Sequence, residues 1–477
     1  MYIQLIKSEL KKIFKMKMNI ILLIVAVLGT LFCVGLKYYE FMDVYGNNTQ
    51  AQTQQGEILT NIHYLNYISE TRHQYAGEWT EEKANQIYQD YNNFVEKYST
   101  DVIDDDKMQS RYLFNYKKIL EPMLKNELTY KQYHEYLIEN GDNDEDYEPE
   151  LANEIIDLEV YTKSTPILEA ANFAYGSANG YGGIDTTSIK PMLEELSQLL
   201  IEKKVDVDKD YLIKYDNIPD DMSDEDIAIV VQYIKDQVTS VPTYYDSTVS
   251  NEILIHALDN CLWIPLICLM IILANTFGIE RQYNVEQIVY PTQAGLFKTT
   301  IAKILVGTLL SMGTMFITIL LCYLLGNYLV PIYTWDIATF SFRTIIPTIE
   351  TQTMLNYKDI IIYTISLGMI ASLAVSTLTL GLSYLLKNKF ATIIILFIFF
   401  AVGLGLFVDI PKVLYFIHPY RMTQINAYAL IYNFPFTIFN GELIPYTIIS
   451  ILFWLVVTAI TYSFIIIRSR MRTARQI

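Results

Sequence analysis

Stretches in which nearly every position is apolar alternate along this chain with stretches in which polar residues recur every few positions. The uninterrupted apolar runs are 19–36 (NIILLIVAVLGTLFCVGL), 255–279, 302–328, 359–385, 390–408 and 446–467. Each is near the roughly 20 residues a helix needs to cross a hydrocarbon layer of about 30 Å. The pattern therefore predicts six transmembrane helices, which puts both chain ends on one side. Between the first two runs the apolar residues fall at helical spacing instead, as in 79–98 and 223–238. Ser223 followed by Asp226 has the form of a capping box, with acidic residues in the first turn where the helix dipole favours them. The expected fold is an α-helical membrane protein with six spans plus a mainly α-helical domain over 38–254.

Charge decides which way the spans run. The 477 residues carry a net charge of −17 and are 52% apolar, with a mean hydropathy of +0.23, and the charge is segregated. Residues 38–258 hold 43 of the 52 acidic residues but only 16 of the 35 basic ones. The short pieces between spans are basic: five Lys against Glu9 in 1–18, Arg281, Lys298 and Lys303 in 280–303, Lys387 and Lys389, and four Arg in 468–477. Short basic loops stay cytoplasmic, so the N- and C-termini are expected inside. The acidic block, 329–358 and 409–445 then face outward, in a plasma membrane.

The first run is expected to be a retained anchor. It is longer than the core of a signal peptide and leaves through Val34-Gly35-Leu36-Lys37 with no small-residue cleavage site. Cys33 does not mark a lipoprotein, because bulky Phe32 precedes it. All four cysteines, Cys33, Cys261, Cys268 and Cys322, lie in or beside the spans, so the acidic domain has no disulfide framework and no C-x-x-C metal site occurs.

Familiar catalytic signatures are missing. There is no Gly-Lys dipeptide and hence no Walker A loop, and neither an H-E-x-x-H pair nor a G-x-S-x-G elbow occurs. The chain is not expected to be an enzyme, and its acidic exterior repels nucleic acid. The acidic clusters 104–106, 142–150 and 220–226 suggest calcium, but the second has Tyr147 where an EF-hand needs Gly and Asn153 where it needs Glu. They are better read as solvated loops. The glycine-rich segment 173–183, with Phe173, Tyr175 and Tyr181, is read as a turn that could also bind.

Polar residues do recur inside two spans. Gly307, Ser311, Thr314 and Thr318 make one stripe on the third, and Ser372, Ser376, Thr379 and Ser383 one on the fourth. Small residues of this kind allow close helix packing in bilayers; the functional alternative is the wall of a path for an amphiphile, together with Asn275 on the second span. No span carries a central charge, since Asp259 is near an end, which disfavours ion pumping. Residues 1–18 form a basic amphipathic helix suited to the membrane surface, with membrane lipids as partners.

The loop 277–303, FGIERQYNVEQIVYPTQAGLFKTTIAK, is the most specific stretch, with a helical segment from Asn284 to Tyr290 stopped by Pro291. It resembles the loop after the second span in permease subunits of type-2 export-class ABC transporters, through Phe277, Glu280, Arg281, Glu286, Pro291 and Lys303. The six-span layout, the basic amphipathic start and the 409–445 segment, similar to short outer re-entrant helices, fit the same family. The resemblance covers the membrane half only. It implies that the loop docks on a separate ABC-type ATPase through a coupling helix over 284–290 (Asn284, Val285, Glu286, Gln287 and Tyr290), joined in the coupling by Glu280, Arg281 and Pro291, with Lys303 opening the next span at that interface and ATP and magnesium held on the partner. It also implies a second permease subunit, identical or paralogous, and an amphipathic cargo such as a hydrophobic peptide, an antimicrobial or a lipid. The rival reading is a non-transporting receptor or secretion-apparatus component whose outer domain binds a ligand.

Overall fold

The computed structural model describes residues 2–44, 51–52, 58–59, 62–89, 193–194, 197–198, 200–203, 222–282, 295–338, 356–404, 411–425 and 435–474. An amphipathic helix α1 (Tyr2–Lys15) is followed, after a bend at Met16, by α2 (Lys17–Val44). Among the described residues, five stretches are long and apolar enough to cross a membrane: 17–39 of α2; the consecutive helices α5 (Val249–Cys261) and α6 (Trp263–Leu273); α8 (Gly295–Leu329); α9 (Tyr357–Leu386); and 446–472 of α13 (Tyr446–Ala474). Between α6 and α8 lies the short α7 (Ile279–Gln282). The expected run 390–408 is a shorter helix, α10 (Lys389–Gly403), whose 15 residues measure about 22 Å. Residues 405–410 lie outside the described part.

Contacts at the helix ends fix the alternation. At one end Tyr38 OH lies 3.4 Å from Ser250 Oγ, Ser250 Oγ donates to Val330 O (2.6 Å), and Tyr357 OH donates to Glu252 Oε1 (3.1 Å). The end of α2, the start of α5, the end of α8 and the start of α9 therefore meet there. At the opposite end Phe277 N donates to Ser383 Oγ (3.2 Å) and Thr300 Oγ1 lies 3.0 Å from Ser469 Oγ. There α9 stops at Lys387 in the left-handed region (φ 50°), and Asn388 caps α10 by accepting from Phe390 N and Ala391 N. Both α1 and the end of α13 sit at this second end, with Lys387, Lys389 and Arg468, and it is the basic end of the bundle.

The second span begins six residues earlier than the hydropathy run at 255 indicates. Ser250, Asn251 and Glu252 are polar but buried; Ser250 Oγ donates to Val330 O, Asn251 Nδ2 to Thr334 O, and Glu252 Oε1 accepts from Tyr357 OH, while Asn251 Oδ1 is left without a partner. A buried polar group costs little once it is hydrogen-bonded, and averaging hydropathy along one chain cannot detect partners on another helix. α5 and α6 are buried nearly all round, as an apolar helix at the centre of a bundle must be. By contrast α2, α8, α10 and α13 expose rows of large apolar side chains such as Phe32, Leu309, Phe390, Ile398, Leu452 and Ile460. A soluble protein rarely leaves such surfaces bare; a hydrocarbon layer covers them without cost. The chain is a helical, membrane-embedded protein.

Beyond α10, α11 (Lys412–Ile417) and α12 (Pro419–Met422) lie against the first turns of α13, where Trp454 Nε1 donates to Ile417 O (2.6 Å) and Ser450 Oγ to Phe416 O (3.1 Å). A hairpin follows, β5 (Phe436–Phe439) with β6 (Glu442–Pro445), closed by Asn440-Gly441 at φ 53° and 80°. Asn-Gly is the dipeptide such a two-residue turn favours. The acidic block meets this end of the bundle. α4 (Asp224–Ser240) is capped by Ser223, whose Oγ accepts from Asp226 N, as the sequence indicates, and its Ile227, Val230 and Ile234 pack on Phe436. α3 (Ile62–His73) and the pairing of β3 (Gly77–Glu78) with β4 (Tyr244–Tyr245) return the chain to the start of α5. The short pairing of β1 (Ala51–Gln52) with β2 (Ile58–Leu59) precedes them. The expected helix over 79–98 is described, and helical, over 81–89. Residues 104–106, 142–150 and 173–183 lie outside the described part.

Candidate functional site

At the basic end the turn after α6 brings four ionisable side chains together. Lys303, the ninth residue of α8, is 2% exposed, and its ammonium donates to Thr276 O (2.7 Å) and lies 3.0 Å from Glu280 Oε1 and 3.8 Å from Glu9 Oε2. Lys12 Nζ bridges the same two carboxylates, at 2.5 Å from Glu9 Oε1 and 3.3 Å from Glu280 Oε1. Glu9 and Lys12 come from α1, where a spacing of three residues puts them on one face. Two carboxylates and two ammoniums balance, which is the condition for burying such charges. Burial by itself lowers the Lys12 pKa, but the hydrogen bond and charge of Glu9, reinforced by Glu280, outweigh it and leave the group above its ordinary value.

Aromatic rings extend the cluster sideways. Lys303 Nζ stands 5.5 Å from the centroid of Phe277, Phe277 meets Tyr384 edge to face at 5.2 Å, and the Arg472 guanidinium lies 5.9 Å from the Tyr384 ring. The second, third, fourth and last spans are thereby joined to α1 through one continuous contact. Gly278 makes this possible: a Cβ there would lie 3.1 Å from Lys387 O and 2.9 Å from Asn275 Oδ1. Beside the cluster is a cavity of about 30 Å³ lined by Glu9, Lys12, Asn19, Asn275, Thr276 and Lys303 with apolar neighbours, room for about two waters.

Of the residues read from the coupling loop, Glu280 and Lys303 are thus brought together, and Arg281 lies in α7. Asn284, Val285, Glu286, Gln287, Tyr290 and Pro291 lie outside the described residues. Glu9, Lys12 and Asn19 were not singled out by sequence reasoning. The Glu9–Lys12 spacing was visible, but a surface pair of that kind is common and carries no address for a partner 268 residues away.

The two polar stripes are buried between helices. Ser311 and Thr318 donate to the carbonyls of Gly307 and Thr314 on their own helix, and Ser372 to that of Met369. Tyr462 OH on α13 lies 2.8 Å from Thr308 Oγ1 and 3.5 Å from Ser376 Oγ, and Thr377 meets Thr458 at 2.9 Å. Thr379 Oγ1 is buried without a hydrogen-bond partner. The small residues permit close approach, since a Cβ on Gly307 would come within 2.9 Å of Leu380 Cδ1. Asn275 lines the cavity beside the ion cluster. Compared with known protein families, with characterised proteins and with solved structures, the chain gives no match.

Proposed function

We propose that this chain is the permease subunit of an ATP-driven ABC exporter in a bacterial plasma membrane, carrying an amphipathic cargo such as a hydrophobic or antimicrobial peptide or a lipid. The observation that carries the reading is the Glu9–Lys12–Glu280–Lys303 cluster, in which the loop carrying the permease-like motif is bonded both to the amphipathic helix and to the start of the third span. Force applied to 280–303 by a partner ATPase would pass to α1 and α8 together, because Glu280 holds an ammonium from each. ATP and magnesium would be bound and used on that partner, and a second permease subunit would complete the path. The 389–403 helix, with 404–410, would serve as a sixth crossing, and the basic end would face the cytoplasm in keeping with the positive-inside rule. In this state the hydroxyls of Ser311, Thr318, Ser372 and Ser376 bond within the bundle; the path would open where α8, α9 and α13 separate.

The test is a gentle detergent purification of the tagged protein from its native membrane, with mass spectrometry of what co-purifies. A stoichiometric P-loop ATPase supports the proposal; its absence, under conditions that keep a known ABC complex intact, overturns it in favour of a receptor or secretion component. Given the partner, reversing Glu286 or placing Pro at Val285 should uncouple ATP turnover from export while insertion stays normal, and export at unchanged ATP cost in both variants would contradict the assignment of the loop.

A further inference from the structure

The ion cluster fixes which flank of α1 meets the bundle, because Glu9 and Lys12 both reach Glu280 and Glu9 also faces Lys303. The remaining side chains can then be placed round the helix axis at about 100° per residue. With Glu9 taken as the inward direction, Leu5, Lys12, Ile13 and Met16 fall within about 60° of it, and all four are half-buried. Ile3 and Phe14 come about 120–140° round, on the side of Ile6 and Leu10, and are 70% and 46% exposed. Lys7, Lys11 and Lys15 follow at about 160–240°, and all three are exposed. Two bare strips therefore run side by side along α1, one apolar and one cationic, and neither faces the bundle.

The apolar strip orients the helix. Past the bend at Met16 the exposed apolar positions go on through Met18, Ile21 and Ile24 of α2, so Ile3 and Phe14 belong at the edge of the same hydrocarbon layer. The lysine row is centred about 70° beyond them, on the side away from the bundle. It points outward along the membrane surface, level with the lipid headgroups. Among the described residues no carboxylate pairs with Lys7, Lys11 or Lys15, whereas Lys12 on the other flank is committed to Glu9 and Glu280. Like charges four residues apart repel along a helix, so the row is a cost to α1 until an anionic layer covers it.

We propose that Lys7, Lys11 and Lys15 form a docking surface for anionic phospholipids, lipids such as phosphatidylglycerol whose phosphate charge no ammonium offsets. Ile3 and Phe14 sit among the acyl chains while the three ammoniums draw the phosphates of neighbouring lipids to the flank of α1. A zwitterionic lipid gains little there, because its own ammonium is repelled by the row. The inference rests on the chain being membrane-embedded and needs neither an ATPase partner nor a cargo.

The test equilibrates the full chain in mild detergent with equal amounts of phosphatidylglycerol and phosphatidylcholine of the same acyl chains, removes free lipid, and counts bound lipids by mass spectrometry. Expected is a several-fold enrichment of phosphatidylglycerol that falls to near parity in K7Q/K11Q/K15Q and persists in K7R/K11R/K15R. No enrichment in the unaltered protein, enrichment unchanged in the glutamine variant, or its loss in the arginine variant overturns the proposal. Acetylation of lysines in nanodiscs separates lipid from protein as the occupant. Phosphatidylglycerol should protect Lys7, Lys11 and Lys15 several-fold relative to phosphatidylcholine, with the exposed Lys235 at the other end labelled equally in both. Protection that appears only when a co-purified protein is added back makes the row a protein-docking surface and overturns the lipid assignment.

Discussion

At the scale of single residues, two buried constellations make opposite demands on charge. Lys303 neutralises Glu280 in a setting where water reaches neither well, so Lys303→Met strands a carboxylate and should cost about 3–5 kcal/mol, the usual result of breaking one side of a buried pair. Pairing it with Glu280→Gln should restore much of the loss, read as the melting temperature in detergent. His418, outside the spanning helices, must instead stay neutral. Its Nδ1 accepts from Tyr420 N (3.2 Å), which leaves Nε2 to donate to Phe399 O (3.1 Å), and burial pushes its pKa down to about 4. Because the folded value lies below the ordinary 6.5, the contribution is complete above pH 6.5 and is lost as the pH falls toward 4, roughly 3 kcal/mol in all. A melting curve measured from pH 7.5 to 4.5 should fall steeply, and His418→Gln should flatten that fall. The ring is packed as tightly as it is bonded: a Cβ on Gly403 would lie 2.1 Å from its Cε1, so Gly403→Ala should destabilise and His418→Ala should relieve the clash. His418-Pro419 was legible in the sequence only as part of the 409–445 segment that resembles short outer re-entrant helices; the partner at residue 403 was not, because contact across helices leaves no local pattern.

At the scale of elements, hydropathy located 17–39, 357–386 and 446–472 to within a few residues, but it began the third span at 302, seven residues after α8 starts. It began the central helix six residues late, because that helix's polar first turn is hydrogen-bonded to neighbours, and 405–408 of the run 390–408 lie outside the described residues. The Ser223 cap and the Asn440-Gly441 turn were or could be read locally because their chemistry is local. The candidate site was half legible. The loop motif pointed to Glu280 and Lys303, while α1 was visible only as an amphipathic stretch and its ion pairs to the loop were not. On the proposed permease reading those pairs would make α1 a working part of the site rather than a surface float, and Glu9→Lys tests this. It would place a third ammonium beside Lys12 and Lys303 and leave Glu280 as the cluster's one carboxylate. Expected is loss of ATP-driven export with normal membrane insertion, since 17–39 is untouched; full export would return α1 to the role of a simple anchor flank.

At the scale of the whole molecule, the acidic block is joined to the bundle at the end opposite the ion cluster through named contacts. Asn66 Nδ2 donates to Leu329 O (3.0 Å), Ser69 Oγ lies 2.9 Å from Ser247 Oγ, and His73, stacked on Tyr333 at 3.7 Å, lies 2.8 Å from the buried Asp246. These contacts clasp the end of α8 and the approach to α5, that is, one end of the third span and of the second (α5 with α6), whose other ends meet at Lys303 and Thr276. Nothing in the spacing of 62–73 or 244–248 announced this clasp, because it couples segments more than 170 residues apart. It also sets the limits of a useful truncation. Removing 60–240 takes away α3 and β3 and uncovers Asp246, Ser247 and Tyr245, so it should lower the melting temperature of the bundle as well as remove the block. Removing only 91–190 spares every contact named here. If cargo selection resides in the acidic block, the shorter deletion should keep the melting temperature and ATPase coupling while cargo handling is lost. Retained export of the same cargo by that variant would move selectivity to the stripes of α8 and α9.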